Sequence, residues 1–494
     1  MMKAKHMFKT ALTLLLCYFF TKLWTLKNES ILTRSEILPT YSDTRPNIIL
    51  IVADDLGYND VGYHGSEIKT PNLDKLAMSG VILENYYVQP VCTPTRGQLL
   101  TGRYQIHTGL NWVLSPATPA GLSVDFPTIA DKLQESGYST HMVGKWHLGF
   151  YKRELLPTNR GFDSFFGFLS GHSDYYTHQT SNYQDKIMTG YDLLENDQPA
   201  NISKYEGVYS THLFANKVKD IIRKQELSKP MFVYLSFQAV HAPLQVPEIF
   251  LNWYSNIEDL NRRKYAGMVS CMDEEIGNIV ELIQQRGNWN NTVIIFSTDN
   301  GGNPKVGGSN WPLKGKKSTF WEGGIRAVGF VHSPLLGFRE LGYKSKELMH
   351  VTDWFPTIIN LAGANATEFD NIDGIDQWAC LKYGTPCKRT EILHNIDDTT
   401  HPRRRFSLRT GAWKLIIGQT GLKGISVSTS NLSLYNIDND PLEEDNVFEQ
   451  FPNIVEKMLQ RLEIYEKGMI PSKFPDIDIN ADPALHGGVW QPWQ

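Results

Sequence analysis

Short groups of polar residues follow four apolar runs of the chain, and together they carry carboxylates, an amide, a lysine and histidines. These groups are Asp54 with Asp55, Lys145 with His147, His241, and Asp299 with Asn300. Carboxylate and amide oxygens are the ligands that Ca²⁺ and Mg²⁺ prefer, whereas zinc prefers cysteine sulfur and histidine nitrogen. Cationic side chains beside a carboxylate–metal cluster suit a tetrahedral oxyanion, so the residue types predict chemistry on sulfate or phosphate.

Each of these residues also has an ordinary structural explanation. Asp54 and Asp55 alone could cap a turn, where aspartate is common. His147 and His241 alone are typical of structural histidines, and Lys145 alone is typical of a solvated surface charge. The functional interpretation therefore depends on whether the fold brings the four groups together.

The apolar runs in front of these groups have the length and β-branched content of strands buried on both faces. The predicted strands are Asn47–Ala53 and residues 139–144, 231–237, 293–298 and 327–331, with helix-period segments at 128–136 and 264–286. This alternation predicts an α/β fold, a mostly parallel central sheet flanked by helices on both faces. Ligands of such sheets bind beyond the carboxyl ends of the strands, so we expect the four polar groups to surround one site.

The chain changes in character after about residue 360, where loops lengthen and charged residues become more frequent. Two short apolar runs, residues 413–417 and 432–437, predict a smaller C-terminal domain containing a short antiparallel sheet. The triplet Arg403, Arg404 and Arg405 is interpreted as a solvated loop rather than as a binding site.

Overall length, charge and cysteine count exclude several classes of protein. The chain has 494 residues, a formal net charge of −5 and five cysteines. This charge argues against nucleic-acid binding, which needs a strong positive field. Five cysteines are too few for a fold built from disulfides. Cys380 and Cys387 could close a small surface loop, Cys271 is predicted to be buried, and Cys92 has no obvious partner.

The amino terminus has the layout of a secretory signal, a basic stretch followed by an apolar run too short to span a bilayer. We expect residues 1–25 to be a signal peptide, with an uncleaved anchor as the alternative, and no membrane span after its removal. Sequons for N-glycosylation occur at Asn28, Asn201, Asn290, Asn365 and Asn431. Both features agree on the secretory pathway, with the lysosome or secretion as the destination.

The segment from Cys92 to Arg103, CTPTRGQLLTGR, resembles the sulfatase signature C-x-P-x-R followed by L-T-G-R. Five further matches to that family follow its order: Asp54-Asp55-Leu-Gly, the run GKWHLG at 144–149, His241-Ala-Pro, Asp299-Asn300-Gly-Gly, and Lys317 before Trp321-Glu-Gly-Gly. The amino-acid sequences of segments 144–149, 310–313 and 393–397 most resemble the arylsulfatase B (N-acetylgalactosamine-4-sulfatase) branch. The resemblance implies an alkaline-phosphatase-like fold, with a catalytic domain at 45–365 and a smaller domain at 366–494.

The resemblance also implies an unusual nucleophile at Cys92. In the family, a formylglycine-generating enzyme of the endoplasmic reticulum oxidises this cysteine to formylglycine (3-oxoalanine), an aldehyde. Its hydrate offers one hydroxyl to attack sulfur and a second to drive the elimination of sulfate, which splits one difficult step into two. The positions that match the family's Ca²⁺ ligands are Asp54, Asp55, Asp299, Asn300 and the modified Cys92.

The remaining matched positions carry the other roles that the resemblance implies. Arg96 and Lys145 would stabilise the hydrated aldehyde, and Asp299 would be the base for its attacking hydroxyl. His147 would take the proton of the second hydroxyl. His241 and Lys317 would bind sulfate and help to protonate the leaving alcohol, with Lys314 and Lys316 as weaker candidates.

The implied activity is hydrolysis of sulfate esters, on sulfated sugars such as the N-acetylgalactosamine 4-sulfate units of glycosaminoglycans. A sulfatase of small aryl or plant sulfates is the first alternative. A phosphate or phosphonate ester hydrolase on the same scaffold is the second, and the cysteine and oxygen-rich ligand set argue against it. A non-catalytic, carbohydrate-binding pseudo-sulfatase is the third, and it conflicts with the filled catalytic positions.

Overall fold

The computed structural model describes residues 45–182, 187–337, 340–364, 371–397, 405–418, 432–472 and 474–494. The predicted signal peptide, the sequons at Asn28, Asn365 and Asn431, and the arginines Arg403 and Arg404 lie outside these described residues. Among the described helices, none combines the length and the apolar character that crossing a membrane requires.

The strands of the described residues belong to three sheets. In chain order they are β1 (Asn47–Ala53), β2 (Val81–Tyr87), β3 (Ser139–Lys145), β4 (Ser164–Phe168), β5 (Gln179–Asn182), β6 (Met188–Tyr191), β7 (Leu194–Glu195), β8 (Gln198–Pro199), β9 (Met231–Ser236), β10 (Thr292–Thr298), β11 (Gly329–His332), β12 (Lys344–His350), β13 (Glu391–Ile396), β14 (Phe406–Thr410), β15 (Trp413–Ile417) and β16 (Leu432–Asn436). The main sheet has the order β12-β2-β11-β10-β1-β9-β3-β4-β7-β8, β13 to β16 form a second sheet, and β5 pairs with β6.

Helices fill most of the segments between these strands. In chain order they are α1 (Pro71–Met78), α2 (Cys92–Thr101), α3 (Gln105–Thr108), α4 (Ile129–Glu135), α5 (Ile202–Tyr205), α6 (Ser210–Lys224), α7 (Glu248–Asn252), α8 (Leu260–Gln285), α9 (Glu322–Ile325), α10 (Trp354–Leu361), α11 (Trp378–Tyr383) and α12 (Pro452–Lys467).

Five neighbouring strands in the middle of the main sheet, β10, β1, β9, β3 and β4, run parallel. Every residue of β1 is buried, because the strand has a core on each face. Ile48, Leu50 and Val52 belong to a core with α4 and α10, and Ile49 and Ile51 to a core with α1, α6 and α8. This arrangement confirms the predicted α/β class and explains why β1 reads as a continuous apolar run.

Most predicted elements are present within a few residues. The strands β1, β3, β9 and β10 match the predictions to within one residue at each end, and α8 begins four residues before the predicted segment. Helix α4 begins after Thr128, whose hydroxyl accepts from the Asp131 amide while the Asp131 carboxylate accepts from the Thr128 amide. The predicted strand 327–331 is β11, and it runs antiparallel to β10, so its carboxyl end lies at the opposite edge.

The predicted antiparallel sheet near the C-terminus is also present. Strand β15 has the predicted bounds, and β16 ends one residue earlier than predicted. The sheet packs on α12 through a core that includes Leu393, Leu408 and Leu415 from the strands and Val455 and Met458 from the helix. The domain boundary near residue 365 stays a prediction.

The cysteines of the described residues follow the expectations for structural cysteines. Cys380 and Cys387 form a disulfide, as the sequence suggested. Cys271 and Cys92 are both buried with free thiols. Cys92 therefore remains the unpaired cysteine whose surroundings need an explanation.

Candidate active site

The ends of β1 and β10 and the start of α2 bring four ligand-type side chains into one buried cluster. Asp54 and Asp55 follow β1, Asp299 follows β10, and Cys92 is the first residue of α2. One ligand atom from each of these residues lies within 4.8 Å of those of the other three. The cluster forms at the carboxyl ends of adjacent parallel strands, which is where ligands of open α/β sheets bind.

Cys92 lies at the centre of this cluster. Its Sγ is 3.5 Å from Asn300 Oδ1, 3.6 Å from Asp54 Oδ1 and 3.7 Å from Lys317 Nζ. Burial raises the pKa of the Cys92 thiol to about 12, and Asp299 adds to the rise. Cys92 is therefore a protonated thiol here.

Three cations accompany the three carboxylates of the cluster. Lys145 Nζ is 2.5 Å from Asp54 Oδ2, Lys317 Nζ is 2.5 Å from Asp55 Oδ1, and Arg96 Nη2 is 2.8 Å from Asp299 Oδ2. Arg96 lies four residues after Cys92 on α2, so the two residues share one face of the helix. The side chains of Lys317 and His241 are 16% and 19% exposed, whereas that of Lys145 is fully buried, so the site opens beside Lys317 and His241.

Burial and neighbouring charge compete in setting the pKa values of the carboxylates. Burial raises the pKa of Asp54 to about 7, and Asp299 adds to this rise against Lys145 and Arg96. Burial also works to raise the pKa of Asp55, but Lys317 and His241 outweigh it and hold that pKa below its usual range. The pKa of Asp299 is likewise lowered, because Arg96 and Lys145 prevail over burial.

The donor atoms of the cluster fit a hard divalent cation. Three carboxylates supply oxygen ligands, and Asn300 turns its Oδ1 toward Cys92 while its Nδ2 donates to Asp55 Oδ1 at 2.8 Å. Mutual repulsion between Asp54 and Asp299 contributes to the raised pKa of Asp54, and a cation between them would relieve it. Such oxygen-rich sets suit Ca²⁺ or Mg²⁺ better than zinc.

His147 stands beside the cluster with a defined tautomer. Its Nε2 lies 3.1 Å from the Leu114 carbonyl, which can only accept, so we assign the proton to Nε2. Burial lowers the pKa of His147 well below its usual value, and Lys145 and Arg96 add to the effect, so the ring is neutral. Its Nδ1 is buried without a hydrogen-bond partner among the described residues, so its lone pair is not engaged by them.

His241 lies on the other side, with Nε2 3.7 Å from Asp55 Oδ2 and Nδ1 2.6 Å from the Ala242 carbonyl. Burial lowers the pKa of His241 to about 3, with Lys317 contributing, so this ring is neutral as well. Of the weaker lysine candidates, Lys314 donates to the Glu443 carbonyl at 2.9 Å and packs on Trp321. Lys317 is therefore the lysine of its loop that contacts Cys92.

The loop after β4 also reaches the site, and the sequence predictions missed it. A Cβ on Gly171 would lie 2.8 Å from His147 Cε1 and Nε2, so the glycine packs directly against that ring. The ring of His172 stacks on His241 with centroids 5.8 Å apart. A signal was present, since the apolar run of β4 (SFFGF) precedes the polar group Gly171-His172-Ser173-Asp174 in the same pattern as the other strands.

A family model and two relatives of known name show which proteins this chain is similar to. The family model "Sulfatase" matches residues 46–364. Arylsulfatase J of Mus musculus is 46% identical over 491 residues, covering 92% of this chain and 81% of that protein. N-acetylgalactosamine-6-sulfatase of Rattus norvegicus is 33% identical over 350 residues, covering 67% of this chain and 64% of that protein.

Solved structures agree with the sequence relatives. The crystal structure of Ps i-CgsB matches with a TM-score of 0.77 and 31% identity, covering 87% of this chain and 94% of that one. Its complex with k-i-k-neocarrahexaose matches with the same TM-score and 30% identity, covering 90% and 98%. The fold and these likenesses define a sulfuric ester hydrolase.

The chain belongs to the sulfatase family, and the family prediction is confirmed. The finer resemblance to arylsulfatase B is supported only in part, because the relatives found are an arylsulfatase J and N-acetylgalactosamine-6-sulfatases. The individual roles of the site residues remain predictions, although the structure brings all ten of them to one edge of the sheet: Asp54, Asp55, Cys92, Arg96, Lys145, His147, His241, Asp299, Asn300 and Lys317.

Proposed function

We propose that this sulfatase is Ca²⁺-dependent, uses a formylglycine derived from Cys92, and releases sulfate from sulfated sugars such as N-acetylgalactosamine 4-sulfate units of glycosaminoglycans. The observation that carries the proposal is the position of Cys92, whose Sγ is within 3.5 to 3.7 Å of an amide oxygen, a carboxylate and an ammonium group. A buried, protonated thiol is a poor nucleophile, whereas an aldehyde hydrate at this position presents hydroxyls to the same partners.

Calcium would be held by oxygen atoms of the residues that surround Cys92. The proposed ligands are Asp54, Asp55, Asp299, Asn300 and the modified Cys92. When bound, the ion would polarise the sulfate oxygens and favour ionisation of the attacking hydroxyl. The carboxylates supply the negative charge that binding this ion requires, and their cationic partners remain next to the anionic substrate.

The chain's own residues supply the proton transfers. Asp299, fixed by Arg96 at 2.8 Å, is the proposed base for the attacking hydroxyl. His147 offers its free Nδ1 lone pair to the second hydroxyl, and the Leu114 carbonyl holds the tautomer that makes this lone pair available. Lys145 and Arg96 stabilise the negative charge that develops at the hydrate.

The substrate side of the site is formed by Lys317 and His241, which stand at the opening. Lys317 is protonated in the substrate-free site, because Asp55 raises its pKa against the effect of burial. We propose that it binds the sulfate group together with His241 and that these two residues protonate the leaving alcohol. Burial of the centre excludes water, which strengthens each of these electrostatic contacts.

The proposed sugar substrate is based on the substrates and ligands named for similar proteins. One relative is named for N-acetylgalactosamine-6-sulfate chemistry, and the Ps i-CgsB structure holds a neocarrahexaose. A sulfatase of small aryl sulfates would use the same catalytic centre. Phosphate ester hydrolysis is disfavoured by the absence of additional histidine ligands from the metal-type cluster of the described residues.

The secretory route is part of the proposal, because the formylglycine-generating enzyme acts in the endoplasmic reticulum. Asn201 and Asn290, the two sequons within the described residues, are both exposed and therefore accessible to a glycosyltransferase. Delivery to the lysosome or secretion would follow.

Mass spectrometry of the Cys92 peptide from the native source tests the nucleophile. We expect formylglycine there, together with release of inorganic sulfate from 4-nitrocatechol sulfate. Cys92→Ala is expected to abolish turnover while the unfolding transition remains. Cys271→Ala is the matched control, since Cys271 is a buried free thiol on α8 that lies beside His212. An unmodified Cys92 in active protein would refute the mechanism, and a modified but inactive protein would favour a binding function.

A further inference from the structure

The sequence predicts that the triplet Arg403, Arg404 and Arg405 lies in a solvated loop. Arg405 differs from this prediction, because its side chain is mostly buried. It lies immediately before β14, opposite Asp397 just after β13, and the Asp397 amide donates to its carbonyl oxygen at 2.9 Å. Its Nε donates to Asp397 Oδ2 at 2.7 Å, and its side chain is only 16% exposed. The end of this hairpin therefore holds the guanidinium in one place.

Two aromatic rings flank that guanidinium. Its central carbon is 5.1 Å from the centroid of Phe320 and 5.9 Å from that of Trp112, both within the range of cation–π attraction. Phe320 lies three residues after Lys317. Trp112 lies two residues before Leu114, whose carbonyl contacts His147. Arg405 is therefore packed against the two segments that border the catalytic centre.

A buried chain of amide side chains connects Arg405 to the helix that begins with Cys92. Asn395 Nδ2 donates to Asp397 Oδ1 at 2.6 Å, and Gln105 Nε2 donates to Asn395 Oδ1 at 2.6 Å. Gln98 of α2 in turn donates to Gln105 Oε1. This chain fixes Asp397, and through it Arg405, relative to the active-site helix, so little ordering is needed when a ligand binds.

The contacts described above engage only part of the Arg405 guanidinium. Asp397 accepts from Nε, and neither terminal nitrogen makes a hydrogen bond to another residue that the structure describes. The planar guanidinium fork matches a carboxylate or a sulfate in bidentate fashion. Trp112 is 41% exposed beside it and offers an apolar ring face to a sugar.

We propose that Arg405, held by Asp397 between Phe320 and Trp112, binds a second anionic group of the substrate, a carboxylate or sulfate on a sugar next to the one that is desulfated. This inference rests on the proposed function and narrows its substrate class to acidic oligosaccharides. A small aryl sulfate has no group that could reach this subsite.

The test compares dissociation constants in full-length protein that carries Cys92→Ala, so that no turnover occurs. The probes are a chondroitin 4-sulfate hexasaccharide, which carries carboxylates, a carrageenan hexasaccharide, which carries sulfates only, and 4-nitrocatechol sulfate. Because hydrogen bonds between charged groups are among the strong ones, Arg405→Gln should weaken hexasaccharide binding at least about tenfold more than aryl sulfate binding. If only the chondroitin hexasaccharide binds more weakly, the subsite recognises a carboxylate. If both hexasaccharides bind more weakly, the subsite accepts either a carboxylate or a sulfate.

Two further variants keep the outcome interpretable. Arg405→Lys retains the charge without the fork and should give an intermediate loss. Arg153→Gln removes an exposed arginine that pairs with Asp197 elsewhere on the surface and should leave all three dissociation constants unchanged. Equal losses for all three probes, or hexasaccharide binding unaffected by Arg405→Gln, would overturn the subsite. Failure of the proposed function would be seen separately, as unmodified Cys92 without sulfate release.

Discussion

Glycine at position 171 leaves the space that the imidazole of His147 occupies. The backbone of His147 is held on both sides, since its amide donates to the Leu169 carbonyl and its carbonyl accepts from the Thr93 hydroxyl, both at 3.1 Å. A Cβ at position 171 would lie 2.8 Å from the ring, so the substitution pushes the His147 ring and the loop of residue 171 apart. We predict that Gly171→Ala lowers kcat by about tenfold to a hundredfold with little change in KM, as steady-state assays with an aryl sulfate would measure.

A control for this substitution is available elsewhere in the chain. Gly468→Ala adds a Cβ whose nearest contacts, His107 Nε2 and the Tyr465 carbonyl, are both 3.7 Å away. That variant should keep the kcat of the parent protein. If Gly171→Ala kept kcat within twofold of the parent, the position of the His147 ring would not limit turnover.

The sequence predicted the members of the catalytic cluster better than the residues that support it. Asp54, Cys92 and Asp299 could be recognised because each stands in a motif or directly after an apolar run. Gly171 and Arg405 were missed or misinterpreted, because their surroundings come from segments distant in the chain. An arginine triplet has the same local pattern whether its members are solvated or, like Arg405, packed between two rings.

At the scale of elements, β15 of the antiparallel sheet is joined to α9 by a buried ion network. Lys414 Nζ is 2.7 Å from Glu322 Oε1 and 2.8 Å from Glu443 Oε1, and all three side chains are fully buried. Removing the lysine would leave buried Glu443 without its cation and Glu322 with only the longer contact to Arg326, at 3.7 Å. We predict that Lys414→Met lowers the free energy of unfolding by about 3–5 kcal/mol in denaturant titrations.

The same network should make this loss depend on pH. Burial raises the pKa of Glu443 to about 7, with Glu322 adding to the rise and Lys414 opposing it. The folded state therefore keeps a proton that the unfolded chain releases above its ordinary pKa of 4.5, so stability falls as pH rises from about 4.5 toward 7. Because Lys414→Met removes the opposing charge, its deficit should be larger at pH 8 than at pH 5.

A lysine at the surface, paired with an exposed glutamate, provides the comparison for this network. Lys132 pairs with Glu135 at 2.9 Å, but these side chains are 20% and 64% exposed. Lys132→Met should change the unfolding free energy by less than about 1 kcal/mol at either pH. Similar losses of unfolding free energy in the two lysine variants would mean that the buried Lys414 network stabilises the protein no more than a surface ion pair does.

The sequence predicted the strands that are buried on both faces. It did not predict features that depend on pairing with other strands, such as the direction of β11. The runs of β1, β3, β9 and β10 are apolar throughout because both faces of the central sheet are covered. The direction of β11 follows from its antiparallel pairing with β10 and β2, which its own residues do not encode. Strand β4 is short and contains a glycine, so its apolar pattern gives a weak signal.

At the scale of the whole molecule, the candidate metal cluster joins segments that are far apart in the chain. Its donors follow β1, begin α2 and follow β10, so an ion bound there would link residues from 54 to 299 across the main sheet. A ligand that binds only the folded state raises the free energy of unfolding, by about 2.7 kcal/mol at a hundred times its dissociation constant. We therefore predict that chelation lowers the unfolding temperature and that Ca²⁺ restores it, with Mg²⁺ less effective because it demands a rigid octahedron.

Two aspartate substitutions separate specific calcium binding from a general effect of charge. Asp299→Asn removes a carboxylate of the cluster and should abolish most of the calcium-induced rise in unfolding temperature, measured by calorimetry on chelated and calcium-loaded protein. Asp197→Asn removes a 43% exposed carboxylate that pairs with Arg153, and it should leave the rise intact. Because this readout requires no turnover, it tests the metal site without an activity assay. A larger stabilisation by Zn²⁺ than by Ca²⁺, or an equal calcium response in both variants, would rule out the oxygen-ligand site.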